Sequence, residues 1–143
     1  MICIKQVKKR EIFSFKQRIW KLFNKKKGYF FKQKTYHFEI SLEDKRIGYM
    51  KIEIIDNVAI LDELIIKSEY RGKKYGHYAM EFFETFAKEH KCHKMRLKTN
   101  TELNTSAYHL YKKHGFKVEA VLKKDYFNKD WVILSKFIGK SED

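Results

Sequence analysis

"LIIKSEYRGKKYGHYAM", residues 64–80, is the stretch on which the reading of the chain turns. An apolar run ends at Ile66, and a turn follows that holds Arg71, Gly72, Lys73, Lys74 and Gly76. Beyond the turn, Tyr75, Ala79, Phe82, Phe83, Phe86 and Ala87 recur at helical spacing. A strand that enters a helix through such a turn leaves the first helical N–H groups unpaired, with the positive end of the helix dipole behind them. That corner reads either as a seat for a phosphate-like anion or as a solvated basic connection. No Gly-Lys-Ser/Thr closes it, so it is not a P-loop, and the three-glycine dinucleotide fingerprint is missing.

Working outward, residues 2–7 (ICIKQV) alternate like a short first strand. Ile12, Phe15, Ile19, Trp20 and Phe23 place an amphipathic helix over 11–23, ended at "KKKG". Residues 34–42 and 46–55 alternate around a turn at Asp44 and Lys45, which predicts an antiparallel hairpin. Residues 58–67 (VAILDELIIK) form a denser strand broken in polarity only at Asp62 and Glu63. A strand over 94–99, a helix over 104–114 with Ala107, Leu110, Tyr111 and His114 on one face, and strands near 116–122 and 130–138 complete the chain. The expected order is β-α-β-β-β-α-β-α-β-β, an α/β mixed sheet of about seven strands flanked by helices.

The chain has 143 residues, of which 43% are hydrophobic and 16% aromatic, and lacks proline, repeats and any linker-like stretch, so one domain over 1–143 is expected. No N-terminal window has the layout of a secretory leader, and no apolar run nears the roughly 20 residues that span a bilayer. A cytoplasmic protein with no membrane partner is the expectation. Cys3 and Cys92 match neither a disulfide framework nor a metal spacing, so both read as small buried hydrophobes and no metal is expected. The net charge of +14 is concentrated: residues 1–34 hold twelve Lys or Arg, including Lys25, Lys26 and Lys27, against Glu11 alone. Such a quarter is either a solvated lysine surface or a patch for an acidic partner.

A second block, "NTSAYHLYKKHGF" at residues 104–116, lies downstream of the basic corner. Together the two stretches resemble the GNAT superfamily of acetyl-CoA-dependent N-acetyltransferases. Arg71 and Gly76 meet the cofactor pattern Arg/Gln-x-x-Gly-x-Gly/Ala, with Lys74 where the middle glycine is usual and Ser68 where many members have proline. Asn104, Ala107, Tyr111, Gly115 and Phe116 follow the second pattern. The likeness covers residues 46–138, "KRIGYMKIE" included, whereas the first 45 share only the general β-α-β order.

The resemblance implies splayed central strands, 58–67 and 94–99, with acetyl-CoA as cosubstrate between them. Backbone groups of Leu64, Ile65 and Ile66 would pair with its arm. Arg71, Gly72, Lys73, Lys74, Tyr75, Gly76 and His77 would wrap the pyrophosphate, and Asn104 would contact the arm or cap its helix. Acetyl transfer by direct attack of an amine requires a base, a stabilised oxyanion and a proton for the leaving thiolate. Tyr111 holds the family position of the acid, with Tyr108 as alternative; a phenol of reference pKa about 10 stays protonated until a thiolate, of about 8.5, forms beside it. A backbone N–H near Ile66 would receive the oxyanion.

For the base, Asp62 and Glu63 are carboxylates set into an apolar strand, where desolvation raises a pKa. In a regular strand they face opposite ways, so only one meets the cleft unless a bulge intervenes. Glu63 is preferred, with Asp62, Glu39 and Glu53 as substrate-contacting acids. The acceptor is an amine on a small molecule or a protein. A basic N-terminal quarter disfavours polycations and suits an acceptor with acidic surroundings, and "KKDYFNKDW", residues 123–131, is either an acceptor wall or a plain hairpin. Monomer and homodimer both remain open. The competing reading is a basic nucleic-acid-binding module, with lysines interleaved among Tyr29, Phe30, Phe31 and Tyr36; another is an inactive acetyl-CoA-binding relative.

Overall fold

The structure is a computed structural model that describes residues 1–27 and 32–139. It divides into two units, residues 1–32 and residues 33–143, each described by itself.

The first unit holds helix α1, Lys9–Lys27. The Glu11 carboxylate accepts the Lys8 backbone N–H at 2.5 Å and so caps the first turn. The helix runs four residues past the predicted Phe23, because lysine is a good helix former and its charge suits the negative C-terminal end of the dipole. Residues 1–8 form neither helix nor strand. The first strand predicted over 2–7 is therefore a correction: Ile2 and Ile4 alternate, yet alternation makes a strand only where a partner backbone is offered. Cys3, in this stretch, is exposed; Cys92 is buried as expected.

Among the described residues the second unit is a six-stranded mixed sheet, where about seven strands were expected. Strands β1 (Gln33–Leu42), β2 (Lys45–Ile55) and β3 (Val58–Ile66) form an antiparallel meander. Its first hairpin turns at Glu43 and Asp44, both with positive φ, one residue earlier than predicted; its second turns at Asp56 and Asn57, a pair suited to left-handed backbone. Helix α2 (Tyr75–Glu89) then crosses over to β4 (Lys94–Thr99), which lies parallel to β3. Helix α3 (Thr105–Lys113) leads to β5 (Lys117–Leu122) and β6 (Trp131–Phe137). The strand order is β1-β2-β3-β4-β6-β5.

Met80, Phe83, Phe86 and Ala87 of α2 are buried with Met50 and Ile52 of β2, Leu61 of β3, and Met95 and Leu97 of β4. Phe82, placed on the same stripe by spacing, is instead 43% exposed at its edge. The core thus fastens α2 across the middle of the sheet and fixes where its first turn begins.

Candidate active site

Two irregularities in β3 create the site. The parallel ladder with β4 runs only from Val58–Lys94 to Leu61–Leu97, although both strands continue beyond it. The ladder with β2 pairs Lys51 with Glu63 and Ile52 with Leu61, so Asp62 is an extra residue, a bulge that breaks the side-chain alternation. In the space past Leu97 lies a cleft of about 440 Å³. Leu61, Asp62, Glu63, Leu64 and Ile65 of β3 line one side, Lys98 and Thr99 of β4 another, with Asn104, Ala107 and Tyr111 at the α3 side and Tyr49 from β2. The bulge brings both Asp62 and Glu63 to the cleft wall.

The Asp62 carboxyl is raised above its ordinary value by burial, and further by the neighbouring Glu53 carboxylate and a hydrogen bond to it. Tyr111 is buried against Phe116, and burial pushes its phenol up, so it stays protonated well above neutrality. Asn104 stands at the N-cap of α3 but makes no side-chain cap bond, so its amide is not committed to the helix end. Tyr108 packs against the core. Glu39 does not line the cleft; its carboxylate accepts from Ser41 at 2.7 Å and from Arg46 at 2.5 Å. Glu53 hydrogen-bonds Gln33 and reaches the cleft only through Asp62.

The basic corner is now explicit. After β3 a short 3-10 turn, Ser68–Tyr70, delivers Arg71, whose Nε donates to the Ile66 carbonyl at 2.9 Å and pins the guanidinium over the strand end. Gly72 has φ +75° and open space around its Cβ position. Lys74, at the N-cap of α2, has φ 68° and ψ 7° and makes no side-chain cap bond. Lysine thus occupies left-handed backbone where the motif usually has glycine. Gly76 has a packing role: a Cβ there would lie 3.0 Å from Leu110 of α3. Tyr75 and His77 complete the first turn.

Several residues of the cleft margin escape local patterns. Asn100, 1% exposed, donates Nδ2 to the Asp130 carbonyl at 2.8 Å and accepts the N–H groups of Glu102 and Leu103 at 2.9 and 2.8 Å. The bond to Glu102 is an Asx turn, a signal carried by "TNTEL". Lys98 Nζ sits 2.5 Å from Asp125 and 3.5 Å from the Tyr126 ring centroid, while Trp131 Nε1 donates to the Tyr126 carbonyl at 2.9 Å. Burial opposes the Lys98 charge, but Asp125 and Tyr126 together hold the amine above its ordinary value. Residues 123–131 are thereby fastened to a lysine of the cleft wall. Tyr49 hydroxyl lies 2.6 Å from His37 Nδ1. Tyr29, Phe30 and Phe31 lie outside the described residues. Among the described residues no three or more His, Cys, Asp or Glu group to hold a metal, and no helix is long and apolar enough to cross a membrane.

The chain belongs to the GNAT acetyltransferase family: the profile of the acetyltransferase (GNAT) family matches residues 7–116. Acetyl-CoA-dependent acetyl transfer is general to that family. An acetyltransferase from Bacillus cereus ATCC 14579 is 18% identical and superposes with a TM-score of 0.74 over 96% of this chain and 98% of that one. The ribosomal-protein-S18-alanine N-acetyltransferase from Escherichia coli is 16% identical, with a TM-score of 0.70 over 76% and 72%. The PaiA N-acetyltransferase from Thermoplasma acidophilum, solved in complex with coenzyme A, is 26% identical, with a TM-score of 0.63 over 90% and 74%. No curated protein matches the sequence.

The donor set fits acetyl-CoA. A polyanion at one end and an uncharged arm at the other call for a basic, uncapped helix start beside a cleft with exposed strand backbone, and residues 64–77 present both.

Proposed function

We propose that the chain moves an acetyl group from acetyl-CoA to a primary amine by direct attack in a ternary complex. The observation that carries this reading is the end of the β3–β4 ladder at Leu61–Leu97, beyond which Asp62, Glu63 and Tyr111 share one cleft. We read that parting as the splay of the two central strands, with the arm of the coenzyme entering beside Leu64, Ile65 and Ile66. Arg71, Gly72, Lys73, Lys74, Tyr75, Gly76 and His77 hold its pyrophosphate.

Acetyl-CoA, when bound, supplies an acetyl group activated as a thioester. The chain's own residues supply the proton handling. Asp62 or Glu63 takes a proton from the acceptor ammonium, directly or through a water. Electrostatics favours Asp62, since a carboxyl raised from its ordinary value is better matched to an amine. A backbone N–H near Ile66 receives the charge on the carbonyl oxygen. Tyr111 holds its proton at neutral pH and gives it to the departing sulfur, and the second proton shed by the acceptor nitrogen restores the phenol. Asn104 contacts the arm, and residues 123–131, fastened through Lys98, form a wall of the acceptor side.

Thermal unfolding tests the reading, since a ligand that binds only the native state stabilises by about 2.7 kcal/mol at a hundredfold excess over Kd. Acetyl-CoA should raise the Tm. An unchanged Tm at saturating acetyl-CoA, with a salt-sensitive rise on adding a short oligonucleotide, would favour a nucleic-acid module instead. Binding of acetyl-CoA without turnover of any amine would mark an inactive relative.

A further inference from the structure

His77, in the first turn of α2, and His114, at the C-cap of α3, meet across 37 residues of sequence: His77 Nδ1 lies 2.9 Å from His114 Nε2. The ring centroids are 5.1 Å apart, and both side chains are half-buried. Beside them Leu110 presses on Gly76, so the start of α2 and the end of α3 form one packed joint.

A hydrogen bond between two imidazole nitrogens needs one hydrogen between two lone pairs. Two neutral rings satisfy it, and so does a pair carrying one extra proton. Two imidazolium ions do not, because both nitrogens would then donate. The pair accepts at most one added proton. Burial, and next the His77 ring, push His114 below its ordinary value.

The charged groups around the pair are Glu81 and Glu84 from α2 and Lys136 from β6, with Lys112 and Lys113 next to His114 on α3. Lys136 and Glu84 are ion-paired to each other at 2.6 Å. Ahead of His77 stand Arg71, Lys73 and Lys74. These cations and the positive end of the helix dipole oppose a further cation in the first turn while no anion is bound, and a bound polyanion reverses that balance.

We propose that His77 and His114 are a one-proton clamp for the coenzyme: binding of its phosphates at residues 71–77 draws a proton onto His77, and His114 is the positioning residue that holds the charged ring there. The clamp rests on the acetyl-CoA reading above. Coenzyme affinity then rises as pH falls through the window in which imidazoles titrate.

Calorimetric titration of the full chain with coenzyme A, in two buffers of different ionisation enthalpy near pH 7, counts the protons exchanged. The wild type should take up about half a proton more than His77→Gln, and its Kd should tighten about threefold over one pH unit where the variant's does not. His109→Gln, on the exposed side of α3, should match the wild type. In the wild type, nitrogen NMR of His77 should move toward the imidazolium position on adding coenzyme A, a readout independent of any variant's folding. Equal proton uptake by wild type and His77→Gln, or an unmoved His77 resonance, would overturn the clamp while leaving coenzyme binding intact. Absence of coenzyme A binding by the wild type would overturn the acetyl-CoA reading and the clamp with it.

Discussion

Asn100 donates its side-chain amide to the Asp130 carbonyl at 2.8 Å, and so ties the end of β4 to the entry of β6. The same side chain organises the loop that leads to Asn104. Asn100→Ala strands two backbone N–H groups and a carbonyl, at a cost of about 2 kcal/mol. Urea unfolding should show that loss, with Cm lowered and m unchanged.

Lys74 is the opposite case, a residue whose present identity costs stability. Left-handed backbone strains a side-chain-bearing residue by about 1 kcal/mol, part of which glycine returns as chain entropy. Lys74→Gly should raise Tm by a few degrees while keeping the backbone N–H at the helix start. A lower Tm would mean that the lysine side chain stabilises this turn.

Asp62 links stability to activity. Its carboxyl is raised in the folded chain by burial and by Glu53, so the charged form is disfavoured there. The resulting loss of stability grows as pH rises from the ordinary carboxylate value through the raised one, and is absent below both. Asp62→Asn should therefore raise Tm at pH 8, change it little at about pH 3.5, and lower acetyl transfer. A residue serving only the fold would not trade stability against rate in this way.

Tyr111 touches Phe116 through its ring, with centroids 6.4 Å apart. Phenylalanine preserves that packing and removes the hydroxyl alone. Tyr111→Phe should cut kcat by about 10²-fold with little change in coenzyme affinity. Equal kcat would remove the tyrosine from proton transfer.

What could be read from sequence follows the range of the forces involved. Strand β4 was delimited correctly at Lys94–Thr99 and the α2 stripe found, because alternation and helical spacing record local burial. The second motif block singled out Asn104 and Tyr111, and it is the structure that lines one cleft with them and with Asp62 and Glu63. Residues 2–7 misled because a strand depends on a partner that alternation does not reveal. The Asp62 bulge lay hidden for a related reason: it exists only in the register of β3 against β2. Lys98 meets Asp125 from 27 residues away, beyond any local pattern, whereas Asn100 carried an Asx-turn signal.

The central claim is acetyl transfer to an amine, and thiol release from acetyl-CoA over a panel of amines, including peptides with free N-termini, tests it most directly. The account predicts amine-dependent release with at least one acceptor, reduced about 10²-fold in Tyr111→Phe. A chain that binds acetyl-CoA yet releases no thiol in response to any amine would contradict it.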